Sequence, residues 1–179
     1  MPPAPPPDWQ IQNLQDIARR LRWLSDESDG LICFRRTPQS SAAVFKLDRQ
    51  IHLYLLAADA DPAALQLKTI MSRIDLDNPL RLLSLYAQAM MLSLAWKPEP
   101  ERVCLLGFGG GRIAMVLHHF FPELIVESAE VDPEVLDLAQ TYFGVKLDSR
   151  LRVAVRDGRE FLADQPDAHY DLILSDCFS

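Results

Sequence analysis

The sequence predicts an α/β fold, a doubly wound parallel sheet preceded by a small β-rich and helical N-terminal region. Three observations predict it. From Glu101 onward the pattern runs strand, helix, strand, helix, strand, helix, strand, and such alternation gives a parallel sheet with helices on both faces. The apolar run Val103–Leu106 enters a turn with glycines at 107, 109, 110 and 111, and helical periodicity follows at once. Ahead of residue 101 one helical segment gives way to short runs with strand composition. The chain has 179 residues, 49% of them hydrophobic, enough for one domain plus a small appendage around a sizeable core.

The N-terminal elements follow in order. Residues 2–7 are proline-rich and read as an extended, disordered tail. Over Asp8–Leu24 a helix is predicted, because Ile11, Leu14, Ile17, Leu21 and Leu24 recur at three- and four-residue steps. Leu31–Arg36, Ala42–Leu47 and Ile51–Ala57 read as strands of a small antiparallel sheet, the last two joined tightly through Asp48-Arg49-Gln50. Asp61-Pro62 starts a helix through Leu67 or beyond, and Asp77-Asn78-Pro79 caps another over Leu80–Trp96. The segment 97–101 carries two prolines and reads as a linker. The predicted organisation is a tail at 1–7, an N-terminal region at 8–97 and a second domain at 101–179.

In that second domain Arg102–Gly107 is the first strand and Arg112–Phe121 the helix after the turn, with Ile113, Val116, Leu117 and Phe120 on one face. Leu124–Val131 is the second strand, with Glu130 and Asp132 at its end, and Pro133 suits the first turn of a helix over Pro133–Phe143. Leu151–Val155 is the third strand, 158–163 a helix, and Tyr170–Asp176 the fourth strand. Doubly wound sheets usually continue past four strands, and an apolar strand left at an edge invites aggregation. The expectation is that the chain is truncated from a longer reading frame.

Bulk properties narrow the function. A net charge of −7 argues against a broad nucleic-acid surface, which needs clustered positive charge. The best basic cluster, Arg19, Arg20 and Arg22 beside Trp23, reads as the solvated face of an amphipathic helix. Cys33, Cys104 and Cys177 are widely spaced and odd in number, so buried free thiols in a reducing cytoplasm are the simplest reading. No Cys/His spacing suggests a metal. The N-terminus lacks the features of a signal peptide, and Arg81, Ser84, Gln88 and Ser93 interrupt the apolar stretch at 80–96, which fits a buried helix rather than a membrane span. The expected protein is therefore cytoplasmic, with no nucleic-acid or membrane partner.

The motif with chemical content is Gly-x-Gly-x-Gly at 107–111 with Glu130 nineteen residues after Gly111. A Rossmann-like strand–turn–helix–strand of this layout suits a nucleoside ligand: glycines allow close backbone approach, and the carboxylate accepts bonds from ribose hydroxyls. Four pieces in order, Leu105–Gly111, Ala129–Pro133, Arg156-Asp157-Gly158 and Tyr170–Cys177, resemble the spermidine synthase (polyamine aminopropyltransferase) family, which has the class I methyltransferase-like fold. The resemblance covers roughly the last 75 residues well. The front half, a β-rich region and then a helix containing Tyr86, is similar to the family's arrangement in a weaker way.

The resemblance implies that Gly107, Gly109 and Gly111 hold the nucleoside and amino-acid-derived end of an S-adenosyl ligand, Glu130 the ribose and Asp157 the adenine amino group. It implies that Asp176 is the catalytic carboxylate, accepting a proton from an amine that attacks the carbon beside the sulfonium. The implied co-substrate is decarboxylated S-adenosylmethionine or S-adenosylmethionine, the other substrate a small polyamine-type amine, and the assembly a homodimer or larger. Solvated or capping roles remain open for Glu130 and Asp157, and a strand-terminating role for Asp176. Two departures bear on the substrate. Where the family's turn carries an Asp facing the amine of the aminopropyl arm, this chain has Gly110, and where it carries a second Asp for the diamine, this chain has Ser179. Aminopropyl transfer leads. Methyl transfer from intact S-adenosylmethionine is the alternative, with Gly110→Asp as its test, and a non-catalytic nucleoside-binding or oligomerisation module is a third reading. His118 and His119 are assigned surface or packing roles, at most one pointing inward. Tyr86 is divided between core and pocket.

Overall fold

The computed structural model describes residues 8–37, 40–65, 67 and 70–177. The proposed tail at 1–7 and Ser179 lie outside them. Helix α1, Trp9–Leu21, opens the described chain and a 3-10 turn extends it to Ser25. Strands β1 (Gly30–Arg36), β2 (Ser41–Leu47), β3 (Gln50–Leu56) and β4 (Ile70–Asp75) then form one antiparallel sheet in sequence order. Short helix α2, Leu85–Met90, leads into a 3-10 turn to Ala95. The second sheet is wholly parallel, made of β5 (Arg102–Leu106), β6 (Ile125–Glu130), β7 (Leu151–Val155) and β8 (Leu172–Ser175) in the order β7-β6-β5-β8. Helices α3 (Arg112–Phe120), α4 (Pro133–Tyr142) and α5 (Gly158–Ala163) connect its strands. The predicted α/β class and parallel alternation are what the structure shows.

Alternation along β5 explains why both faces are covered. Val103 and Leu105 point into a core shared with α1, α3, α4 and the antiparallel sheet, while Cys104 and Leu106 point to a smaller cluster under α5 with Phe161. The larger core runs without interruption from Ile17 and Leu21 through Val44, Leu53 and Ile74 to Val126, Leu138 and Phe143. Arg35 of β1 adds a polar tie, with one nitrogen 2.7 Å from Glu134 and the other 3.0 Å from Asp137 on α4.

Several expectations are corrected. Asp61 does open a turn, its Oδ1 accepting from the Ala63 amide at 2.9 Å, but no helix continues over 61–65; Gln66 and residues 68–69 lie outside the description. The chain instead enters β4, which pairs with β3 (Ile51 opposite Ile74). The helix expected at Leu80 begins only at Leu85, because side chains claim the preceding carbonyls: Arg73 Nη2 donates to Leu83 O at 2.6 Å and Gln88 Nε2 to Leu82 O at 2.8 Å. On α3, Phe120 is exposed, whereas His118 and His119 are both buried. Helix α1 lies over them: His118 Nε2 sits 3.0 Å from Asp148 Oδ2 with Trp9 edge-on to its ring, and His119 Nδ1 sits 3.0 Å from Asn13 Nδ2. Arg20 is not purely solvated either, since its Nε donates to Gly144 O at 3.0 Å. Of the cysteines only Cys104 is buried; Cys177 is exposed just past β8, and Cys33 is half-buried.

Phe143 is completely buried where α4 meets both the glycine turn and the antiparallel sheet. Phe143→Ala is expected to cost about 3–5 kcal/mol of unfolding free energy. Denaturant titration checks this, and a loss under 1 kcal/mol would contradict the shared core.

Candidate functional site

Strand order reverses between β5 and β8, and in open parallel sheets ligands bind at the carboxyl ends of strands flanking that reversal. A cavity of about 570 Å³ opens there. That size suits a nucleoside-bearing small molecule. Its wall includes Gly107, Gly109, Glu130, Asp157, Asp176 and Tyr86, so five of the six predicted site residues meet in one place, from four separate chain segments. Gly111 stands one step back, as the N-cap of α3 at φ +66°, and is not part of the wall.

Gly107 shows why the turn needs glycine. Its φ is +87°, and a Cβ there would lie 2.5 Å from the carbonyl oxygen of Asp176. Any side chain would push the ends of β5 and β8 apart and move Asp176. Gly110 is constrained by space. A Cβ would lie 2.8 Å from Ser72 Cβ and 3.0 Å from Phe143 Cδ1, and closer still to the Ser72 hydroxyl. Ser72 belongs to β4, so the antiparallel sheet fills the position where the family pattern carries Asp. The expected test, Gly110→Asp, therefore perturbs packing before it can report donor choice.

Glu130 ends β6 and is 7% exposed. Its Oε2 accepts from the amides of Phe108 and Gly109 at 3.1 and 3.2 Å, and its Oε1 from Asp132 N at 3.0 Å. A carboxylate offers about four lone-pair directions, so acceptor capacity remains on Oε1 for a hydroxyl donor. The side chain holds the glycine turn and still presents an acceptor. Asp157 caps α5, and both bonds, from Arg159 N at 2.8 Å and Glu160 N at 3.2 Å, fall on Oδ1. The cap leaves Oδ2 out, so capping and ligand contact are compatible.

Asp176 follows β8 and is partly buried, which pushes its pKa up from the ordinary carboxyl value; a bond from Tyr86 acts the other way. The Tyr86 hydroxyl donates to Asp176 Oδ2 at 3.3 Å. Burial, then the neighbouring carboxylate, pushes the phenol up to about 12, so it stays protonated and keeps donating. The structure thus places Tyr86 in the pocket. Three further wall residues, Ser72, Arg73 and Arg112, were not singled out from sequence. The first two lie on the unanticipated β4. Arg112 carried a signal, since a cation at the first position of a helix opposes the helix dipole.

No protein-family model matches the chain. The chain is 37% identical over 99 residues to an eEF1A lysine and N-terminal methyltransferase of Xenopus laevis, covering 50% of this chain and 14% of that protein. It is 32% identical over 96 residues to a polyamine aminopropyltransferase of Vibrio vulnificus, covering 52% of this chain and 32% of that protein. The chain therefore spans a third or less of the length of these relatives. Among solved structures, a probable spermidine synthase from Corynebacterium glutamicum superposes with a TM-score of 0.64 at 18% identity, over 86% of this chain and 53% of that one. Human methyltransferase-like protein 13 in complex with SAH superposes with a TM-score of 0.50 at 28% identity, over 54% of this chain and 49% of that one.

The fit at Gly110 gives a checkable consequence. Gly110→Ala is expected to destabilise by about 1–3 kcal/mol through overpacking. In a double-mutant cycle with Ser72→Gly the two changes should couple favourably by about 1 kcal/mol or more. Additive losses would show that Ser72 does not close this position. With its parallel sheet ordered β7-β6-β5-β8, its glycine turn at the reversal point and its antiparallel sheet in front, the chain has a spermidine synthase-like class I methyltransferase fold.

Proposed function

We propose that this chain holds the donor site of a transferase that moves an alkyl group from an S-adenosyl sulfonium to an amine. The observation that carries the reading is the Asp176–Tyr86 pair at the rim of a cavity floored by a glycine turn. Gly107 and Gly109 line the nucleoside's approach, Glu130 offers an acceptor to ribose, and Asp157 offers Oδ2 to the adenine amino group. The complex of methyltransferase-like protein 13 with SAH, a partial relative, supports an S-adenosyl ligand. The relatives support the acceptor class, since a polyamine, a lysine and an N-terminus are all amines.

An amine is protonated at neutral pH and cannot attack until it loses a proton. Asp176, ionised and oriented by the Tyr86 hydroxyl, takes that proton. The nitrogen then attacks the carbon beside the sulfonium. The carbon–sulfur bond breaks with its electron pair passing to sulfur, leaving a neutral thioether. The positive charge passes from sulfur to nitrogen with none created, so alignment of the two reactants supplies much of the acceleration.

The overall arrangement, an antiparallel sheet, a helix bearing Tyr86, then the parallel sheet, supports aminopropyl transfer to a polyamine-type acceptor as the first reading. Methyl transfer is the second reading, and residue 110 favours it. No acidic side chain fits there beside Ser72, so nothing at that point repels a donor carboxylate.

Asp176→Asn is expected to lower turnover with an amine acceptor by about 10²–10⁴-fold while S-adenosyl ligand binding persists. Full turnover in that variant would remove Asp176 from the chemistry. Tyr86→Phe deletes the bond that holds the Asp176 carboxyl down. Because the ionised form is the working base, the rising limb of the rate–pH profile should move to higher pH. An unmoved limb would mean the pair does not act on the transferred proton.

A further inference from the structure

Among the described residues, the cavity wall holds a cation, Arg112, that no carboxylate pairs. Arg112 occupies the first position of α3, a nine-residue helix, and its side chain is 7% exposed. Its Nη2 donates to the Pro79 carbonyl, and its Nη1 faces Met115 Sδ at 3.3 Å. Nε has no partner among the described residues, and no carboxylate among them lies within ion-pair distance of the guanidinium. Burial alone lowers its pKa, to about 10, with no opposing charge to restore it, so it remains a cation at neutral pH. A buried, uncompensated guanidinium at the positive end of a helix is strongly unfavourable unless something anionic joins it.

The surroundings say where that anion would come from. Arg112 is part of the cavity wall, next in sequence to the glycine turn, and Arg73 lines the same cavity. Both arginines lean on the 79–83 segment, Arg112 through Pro79 O and Arg73 through Leu83 O. The acids in the wall, Glu130, Asp132, Asp157 and Asp176, all come from the ends of β6, β7 and β8. Asp132 and Glu130 are already engaged by backbone amides. Within the turn, Gly110 has no room for a Cβ, so the position adds no acidic side chain. The amides at the start of α3 add partial positive charge to the same end.

We propose that Arg112 binds the carboxylate of an α-amino-acid tail on the donor, and that this protein therefore selects intact S-adenosylmethionine over its decarboxylated form. The proposal rests on the reading of this cavity as an S-adenosyl site and decides between the two transfers considered for it. The transferred group is then methyl. The amine nitrogen bonds to the methyl carbon, the sulfur–methyl bond breaks with its pair going to sulfur, the amine proton passes to Asp176, and S-adenosylhomocysteine leaves. Arg112 acts on binding and orientation and touches no reacting atom.

The test is calorimetric binding of three ligands to the wild-type chain: S-adenosylhomocysteine, its decarboxylated analogue and 5′-methylthioadenosine, which has no amino-acid tail. One charge-assisted pair predicts about tenfold to a hundredfold tighter binding of S-adenosylhomocysteine than of the decarboxylated analogue. In Arg112→Met the affinity ratio of S-adenosylhomocysteine to methylthioadenosine should fall about tenfold or more, and Arg112→Lys should keep part of it. Equal or tighter binding of the decarboxylated analogue by the wild type overturns the proposal, whether or not either variant folds. An unchanged ratio in a folded Arg112→Met overturns it as well. Failure of all three ligands, methylthioadenosine included, overturns the S-adenosyl reading itself and the proposal with it.

Discussion

The site depends on one carboxylate. Glu130 reaches from the end of β6 to the amides of Phe108 and Gly109 in the turn after β5. Those amides point inward in a turn that pairs with no strand, and buried amides need an acceptor. Glu130 supplies it while also bonding the amide of Asp132, which in turn caps α4. One side chain thus couples the turn, the end of the central strand pair and the start of the next helix. The same charge, set at the rim of a cavity, suits a ligand rich in hydroxyl donors. Its bonds to the turn leave acceptor capacity on the cavity side.

The second constraint is backbone proximity. Because Gly107 lacks a side chain, the end of β8 closes against the turn, and Asp176 N bonds Leu106 O at 2.8 Å. Asp176 is therefore fixed by main chain before its carboxylate meets any partner. The partner, Tyr86, arrives on a short helix whose position follows from side-chain claims on the 82–83 carbonyls. A carboxylate held by backbone on one side and bonded by a hydroxyl from a short helix on the other is set in place before any ligand arrives.

The antiparallel sheet is a wall of the site as well as a companion to the parallel one. Strand β4 brings Ser72 against Gly110 and Arg73 into the cavity, and its other contacts belong to the continuous core with Phe143. The cavity then has acids from the parallel strand ends and arginines near the 79–83 segment. The cavity wall therefore presents opposite charges from different parts of the fold, acids from the parallel strand ends and arginines from β4 and the start of α3.

The sequence by itself determined the parallel sheet, the turn and the identity of the acids at the strand ends. These features are local: apolar runs of fixed period, glycines at set spacing, and carboxylates where strands stop, each legible within a window of about ten residues. It also showed that Tyr86 sat ahead of the first parallel strand, without deciding what it faced. Only the tertiary structure decided that β4 exists, since Ile70–Asp75 is a strand by virtue of pairing with β3 rather than of its own pattern. It decided that α1 buries both histidines of α3, and that position 110 is closed by Ser72. It left Arg112 inside the cavity wall with no carboxylate within ion-pair distance among the described residues. Each of these is a meeting of segments distant in sequence, with energies set by burial, steric closure and the absence of a counter-charge, and no local pattern records such quantities.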